Sequence, residues 1–192
     1  MPRTALKVGL LVLLMLAPLE LSSWIAGRVL APRGVVYLPP EAEGFDAYLA
    51  RRDPLLGWPP PAARGGPIHD EHGARRAPDE APGPPCMAVF GDSFTFGDEV
   101  APDETYAHAL GERLRCRVAN YGVGGYGTDQ AYLRYRERFE EPADVVLLAH
   151  YSENIIRNVN RYRGFLTGGG FGWKPRFRLD DGSSLELSLI HI

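Results

Sequence analysis

The stretch that decides the fold covers residues 87–100 and reads MAVFGDSFTFGDEV. Four mostly apolar residues, typical of a short buried strand, run directly into Gly91, Asp92 and Ser93. A serine in this place is either the nucleophile of an enzyme or a turn or helix-capping residue. The segments that follow decide between the two.

Two helix patterns and two further strand patterns follow this stretch. Asp103 is a candidate N-cap for a helix whose apolar residues recur at a spacing of four, Tyr106, Leu110 and Leu114. The next strand pattern is RVANYG at residues 117–122. These elements predict a strand, a helix and a second strand in that order.

The second helix pattern has Thr128 or Asp129 as its cap and carries Tyr132, Tyr135 and Phe139 on one side. It leads into DVVLLAH at residues 144–150, a continuous apolar strand of the kind buried on both faces. Alternating strands and helices predict an α/β fold with a doubly wound parallel sheet.

Composition and the N-terminus restrict location and partners. The 192 residues are 45% hydrophobic, which favours one globular domain, and carry a formal charge of −3, which argues against nucleic acid as a partner.

Residues 8–19 are uncharged, and residues 8–27 are long enough to cross a bilayer. Residues 1–30 are predicted to be a single-pass membrane anchor with the domain facing the periplasm or cell exterior; the alternative is a cleaved signal peptide and a secreted protein.

Residues 31–85 are rich in Pro, Gly, Ala and charge and are predicted to be a linker and lead-in with little core of its own. The HDEH stretch at residues 69–72 is interpreted as a solvated turn, because no further ligands accompany it. No metal and no organic cofactor are expected, since neither the histidine spacing nor the glycine loop matches a metal or nucleotide site.

The two cysteines each precede an apolar strand pattern, Cys86 before the first and Cys116 before the second. If the two strands are parallel neighbours entered at the same level, the sulfur atoms come within bridging distance, and an exported location permits the bond. The alternative is two small buried side chains that stay unpaired. The sequence leaves both open.

Three loops are expected to converge at the carboxyl edge of the sheet, where ligands bind in such folds. They contain Asp92 and Ser93, residues 122–127, and residues 152–158. A serine nucleophile with several hydrogen-bond donors nearby is what acyl transfer requires. The donors available are the N–H of Ser93, the N–H of a loop glycine and the side-chain amide of Asn154.

The segments GDSFTFG, NYGVGGYGTDQ and HYSENIIRN resemble the first three sequence blocks of the SGNH, or GDSL, hydrolase family. Upstream, DPLLGWPPP and IHDEHGAR resemble the lead-in of its membrane-anchored bacterial members, so the resemblance covers residues 53–165. It implies that Ser93 is the nucleophile and an oxyanion donor and that Gly125 and Asn154 complete the oxyanion hole. Gly91 and Asp92 would be supporting residues, Asp92 as a turn former. The third block departs from the family's Gly-x-Asn-Asp and reads SENI at residues 152–155.

The family places its base, a histidine, in a late Asp-x-x-His motif that this chain lacks. Of its histidines, His69, His72, His108, His150 and His191, only His191 lies late, and Ser188 stands three residues before it. The ending LSLIHI, residues 187–192, holds two of the six isoleucines in its last three positions. We therefore expect residues 86–186 to be the N-terminal part of the domain, residues 187–192 to be a non-native tail, and the fragment to be inactive.

The function that follows is a serine ester hydrolase that acts on carboxylic esters, acetyl esters above all, outside the cytoplasm. Its expected partner is an acylated carbohydrate or a lipid ester. Two alternatives stay open: an O-acyltransferase that modifies envelope polysaccharide, and a noncatalytic envelope protein of the same fold.

Overall fold

A computed structural model describes residues 2–30, 33, 44–61, 63–164, 172–179, 181–182 and 184–188. Residues 189–192 of the expected tail, which include His191, lie outside this set. The chain divides into two compact units, residues 1–41 and residues 42–192, and each is described by itself.

The N-terminal unit is built on one helix, α1 (Pro2–Leu30). Its residues Lys7–Leu30 have a mean hydropathy of 2.0. At 1.5 Å per residue this stretch is about 36 Å long, which exceeds the hydrocarbon thickness of a bilayer. The helix is thus long and apolar enough to span a membrane, and a signal sequence near the N-terminus has the same character.

The second unit contains a parallel sheet of three strands in the order β2-β1-β3, namely β1 (Met87–Phe90), β2 (Val118–Asn120) and β3 (Val145–Leu148). Ala88 is level with Ala119 on one side and with Val146 on the other. All three strand predictions and their parallel arrangement are confirmed. The carboxyl ends of the strands therefore meet at one edge.

Two helices cover different sides of β1, because successive strand residues point to opposite faces. Val89 packs with Val118 and with Ala107 of α4 (Tyr106–Leu114). The alternate residues Ala88 and Phe90 pack in a cluster that includes Ala131 of α5 (Thr128–Arg138). The domain is thus mixed α/β, as the sequence predicts.

The start and the buried side of α4 differ from expectation. Thr105 is the N-cap and accepts a hydrogen bond from the N–H of His108 at 3.2 Å, while Asp103 lies in the preceding 3-10 turn, Pro102–Glu104. Tyr106 and Leu114, two members of the expected apolar stripe, are 38% and 51% exposed. A threonine placed one residue before a helix satisfies one of its first free N–H groups, as an aspartate in the same position would.

The buried side of α5 is only in part the expected one: Phe139, which follows the helix, packs against the core cluster of Phe90. The helix begins at Thr128 with Gly127 as its N-cap, and Tyr132 and Tyr135 are exposed. Gln130 and Arg134 are buried instead, because backbone carbonyl groups from the lead-in accept their hydrogen bonds. These acceptors cannot be identified from local periodicity.

The lead-in differs from the predicted linker from residue 44 onward. It forms α2 (Phe45–Arg51), and Tyr48, Leu56 and Ala74 are at most 1% exposed. Gln130 donates to the carbonyl oxygens of Leu56 and Trp58 at 2.8 and 3.0 Å. The Pro- and Gly-rich composition makes turns between packed residues, so this segment contributes to the core.

Four further elements complete the described fold. They are α3 (Ser93–Phe96), α6 (Asn154–Val159) and an antiparallel hairpin of β4 (Arg176–Leu179) and β5 (Leu185–Ser188). Leu187 and Ser188, the first residues of the expected tail, belong to β5. The third strand is not buried on both faces: Val145, Leu147 and Leu148 are 48%, 37% and 40% exposed, since within the described residues only β1 pairs with it.

Cys86 and Cys116 form a disulfide, with Cα atoms 6.0 Å apart and a sequence separation of 30. In the chain-entropy view, closing a loop of this length stabilises the folded state by about 3 to 4 kcal/mol. We expect peptide mapping of the unreduced protein to find the Cys86–Cys116 cross-link, and Cys116→Ser to lower the free energy of unfolding by about this amount. Two free thiols in the unreduced protein would contradict the pairing.

Candidate active site

Ser93 lies immediately after the turn that leaves β1, as the first residue of α3. The helix cap is Asp92, whose Oδ1 accepts a hydrogen bond from the N–H of Phe94 at 3.0 Å. Ser93 is therefore not the capping residue, and its hydroxyl is not used for that purpose. Its side chain lies at the carboxyl edge of the sheet, where a nucleophile is expected.

The glycine loop after β2 packs tightly against the Ser93 loop. The N–H of Val123 donates to the carbonyl oxygen of Gly91 at 3.1 Å. A Cβ atom at Gly122 would lie 2.2 Å from the backbone nitrogen of Phe96, and one at Gly91 would lie 2.0 Å from Oγ1 of Thr95. A glycine at position 122 therefore allows the two loops to lie this close, whereas Gly91 leaves room for Thr95 of its own loop.

Gly125 occupies the third position of a turn that the N–H of Tyr126 closes onto the carbonyl oxygen of Val123 at 3.2 Å. Its φ of +82° lies in the left-handed region, which the third residue of a type II turn requires. A Cβ atom there would touch Trp58 and Pro59 of the lead-in at 3.6 and 3.7 Å. The lead-in thus forms one wall of the glycine loop.

The backbone N–H groups around Ser93 fall into two sets. Those of Phe94, Val123 and Tyr126 have acceptors. Across the ranges that the structure describes, the N–H groups of Ser93 and Gly125 donate to no protein atom. Free N–H groups on loops that leave neighbouring strands are the donors that an oxyanion needs.

The third loop reaches the other two through Asn154, which is 1% exposed. Its Nδ2 donates to Oδ2 of Asp92 at 2.8 Å and to the carbonyl oxygen of Tyr126 at 3.3 Å. Its Oδ1 accepts from the N–H of Tyr151 at 2.7 Å. One carboxamide therefore joins all three loops at the edge of the sheet.

Arg157, one helical turn after Asn154, donates to the same two acceptors. Its guanidinium lies 3.3 Å from Oδ2 of Asp92 and 3.2 Å from the carbonyl oxygen of Tyr126. Asp92 is 4% exposed and Arg157 8%, so the two side chains form a buried ion pair at the residue that precedes Ser93. Asp92 is both the cap of α3 and the centre of the contact between the loops.

A cleft of about 300 Å³ opens at the serine. Its lining comes from the first loop, with Phe94 62% exposed, and consists of Ser93, Phe94, Gly97, Asp98, Glu99 and Val100. Burial raises the pKa of the Asp98 carboxyl, and the positive charge of Arg75 opposes that shift. Gly125 and Asn154 do not line this cleft.

Histidines are present in the described part of the chain but do not bond to Ser93. His69 stacks on Phe96 with ring centroids 5.7 Å apart, and Nδ1 of His150 lies 2.7 Å from Oγ1 of Thr128. His72 and His108 lie 3.7 and 3.8 Å from glutamate oxygens. Among the described residues, no group of three or more potential ligands is placed to hold a metal ion.

Arg157, Asn120 and Arg75 contact the site and were not identified from the sequence. Arg157 could have been identified from its spacing, because residues three apart on a helix share a face and Asn154 was already a candidate. Asn120 ends β2, and its Nδ2 donates to the carbonyl oxygen of Thr95 at 2.7 Å. Arg75 is the last residue of the IHDEHGAR stretch, which resembles the family lead-in, but that resemblance gave it no role in the site.

Replacing Gly122 by alanine is expected to force the two loops apart. The new Cβ would lie 2.2 Å from a backbone nitrogen that cannot rotate away. We expect a loss of about 1 to 3 kcal/mol in the free energy of unfolding, the usual cost of overpacking. Gly66→Ala is the matched control, because the nearest atom to its Cβ is 3.7 Å away; equal stability of both variants would contradict the packing described.

No protein-family profile matches the sequence, and no curated protein matches it. Solved structures similar to this chain include AlinE4, described as an SGNH-hydrolase family esterase, and two mutants of that esterase. The sequence identities are 24%, 24% and 22%, each match covers 43% of this chain and 48% of the other, and each TM-score is 0.32. The chain spans about half the length of these esterases.

Proposed function

We propose that this chain carries the nucleophile and the oxyanion donors of a serine ester hydrolase of the SGNH type. The observation that carries the proposal is the joining of three loops around Asp92, with the free N–H groups of Ser93 and Gly125 on two of them. A structural turn has no need for unpaired donors beside a serine hydroxyl, whereas acyl transfer requires them.

In the proposed reaction, Oγ of Ser93 attacks the ester carbonyl carbon and loses its proton to a general base. The carbonyl oxygen becomes an oxyanion, which the N–H groups of Ser93 and Gly125 stabilise. Collapse expels the alcohol, which takes up the proton, and leaves an acyl-enzyme that water hydrolyses to a carboxylic acid. We place the base in an Asp-x-x-His motif encoded beyond residue 186.

The proposed role of Asn154 as a third donor requires its Nδ2 to turn from its present acceptors toward the oxyanion. Both acceptors, Oδ2 of Asp92 and the carbonyl oxygen of Tyr126, also receive hydrogen bonds from Arg157. They would stay paired after such a turn, which avoids the cost of an unsatisfied buried carboxylate.

An acetylated polysaccharide or a lipid ester of the cell envelope is the proposed substrate, because α1 can hold or direct the domain outside the cytoplasm. The same acyl-enzyme in an O-acyltransferase would pass its acetyl group to a sugar hydroxyl. The two activities differ only in the acceptor, so products measured with excess sugar acceptor separate them.

The test begins with sequencing the locus past codon 186 and expressing the complete reading frame. We expect an in-frame Asp-x-x-His and hydrolysis of p-nitrophenyl acetate. If free acetate is the only product in excess sugar acceptor, the enzyme is a hydrolase; an acetylated sugar would establish the transferase. A frame that ends at residue 192 and a protein without activity would support the noncatalytic alternative.

A further inference from the structure

We infer that Arg75, in the segment before the first strand, is a positioning residue for Ser93. The effect of Arg75 on catalysis rests on the proposed function, whereas its ordering of the loop after Ser93 does not. The lead-in then belongs to the site, in addition to contributing to the core.

Arg75 binds the backbone that follows Ser93. Its guanidinium donates to the carbonyl oxygens of Phe96 and Gly97, the latter at 2.8 Å, and to that of Val100 at 2.9 Å. It also lies over the ring of Phe96, 4.6 Å from the centroid. One side chain therefore fixes three successive points of the loop that forms the cleft.

Gly97, the C-cap of α3, leaves room for this guanidinium. Gly97 has φ +83°, and a Cβ atom there would lie 2.7 Å from a terminal nitrogen of Arg75. The opposite side of Phe96 is also occupied, because the ring of His69 stacks on it with centroids 5.7 Å apart. Arg75 itself is anchored, since its N–H donates to the carbonyl oxygen of Asn120 at 2.8 Å.

The loop that Arg75 binds is itself hydrogen-bonded to Ser93. The N–H groups of Gly97 and Asp98 both donate to the carbonyl oxygen of Ser93, at 2.7 and 3.2 Å. Because α3 has only four residues, its final carbonyl groups accept no helical hydrogen bonds and are available to donors from outside the helix. Arg75 supplies these donors for Phe96 and Gly97, so it orders the turn on which Ser93 lies.

The first test measures amide hydrogen exchange in the full chain in detergent micelles. In Arg75→Gln, the amides of Gly97, Asp98 and Val100 are expected to exchange at least about tenfold faster, because their turn opens locally. The amides of Tyr121 and Ala149, which belong to the sheet edge, are expected to change less than about twofold. Arg75→Lys should restore little, since one ammonium group cannot reach three carbonyl oxygens.

The neighbouring Arg76 provides a matched control. Its guanidinium makes one backbone hydrogen bond, to Gly66 at 3.2 Å, and its side chain is 45% exposed. Arg76→Gln is expected to leave all of these amides unchanged. Equal acceleration of the loop and the sheet in Arg75→Gln, or no acceleration of the loop, would overturn the inference.

The second test uses the esterase kinetics of the complete protein. A displaced nucleophile lowers kcat, by about 10- to 100-fold, with little change in KM, because the cleft still admits the ester. An unchanged kcat with local loop opening would overturn the positioning role. If the wild-type protein has no activity, the proposed function fails, and the exchange result alone still decides whether Arg75 orders the loop.

Discussion

Replacing Ser93 by alanine is expected to lower kcat/KM of the complete protein for p-nitrophenyl acetate at least about 1,000-fold. The variant has no hydroxyl at position 93 on which the acyl-enzyme could form. The oxyanion donors would remain, since the alanine keeps the backbone N–H, so a small residual rate is expected. The fold should be unaffected, because Asp92 and not Ser93 caps the helix.

Ser152→Ala is the control for this experiment. Ser152 is an exposed serine in the third loop of the same site, two residues before Asn154. Its removal tests whether any hydroxyl near the cleft suffices. Full activity of Ser93→Ala, or loss of activity in Ser152→Ala alone, would exclude Ser93 as the nucleophile.

Replacing Arg157 by alanine is expected to lower the free energy of unfolding by about 3 to 5 kcal/mol. The change leaves Asp92, which is 4% exposed, as a buried carboxylate with Asn154 as its remaining partner from α6. It also removes a donor to the carbonyl oxygen of Tyr126, which precedes α5. The three loops would then lose their common charged contact.

Urea unfolding of the full chain in detergent, followed by near-ultraviolet circular dichroism, measures this effect. Asp92→Asn in the Arg157→Ala background should recover part of the loss, because the unpaired charge is gone. Arg136→Ala is the control, since Arg136 is a surface arginine whose side chain is 44% exposed. A loss below about 1 kcal/mol in Arg157→Ala would show that the pair is no stronger than an exposed one.

The sheet and the convergence of the loops could be predicted because both depend on short-range patterns. Short apolar runs that end in glycine or polar residues mark the strands, and parallel strands necessarily bring their carboxyl ends to one edge. Residues 87–100 therefore locate Ser93 at the correct edge of the sheet. Gly125 lies on the adjoining loop for the same reason.

The remaining contacts depend on partners distant in sequence. Arg134 is buried because the carbonyl oxygen of Gly73, 61 residues earlier, accepts its hydrogen bond. Arg75 and Asn120 bind carbonyl groups of α3 from two different segments. A propensity scale treats these side chains as surface residues, since it contains no term for a specific backbone acceptor.

The packing of the lead-in could not be predicted from its composition either. Proline and glycine indicate a chain without regular structure, and the segment before β1 has little of it. Yet Tyr48 and Leu56 are almost fully buried, and Trp58 and Pro59 contact Gly125. Irregular backbone can be fully packed, which composition does not reveal.

The measurement that tests the central claim most directly is peptide mapping of the complete protein after reaction with a fluorophosphonate. An activated serine displaces fluoride and forms a stable phosphonyl ester, so the modified residue identifies the nucleophile. Our account predicts a single adduct, on Ser93, formed in parallel with the loss of esterase activity. An adduct on another residue, or full activity after Ser93 is modified, would contradict it.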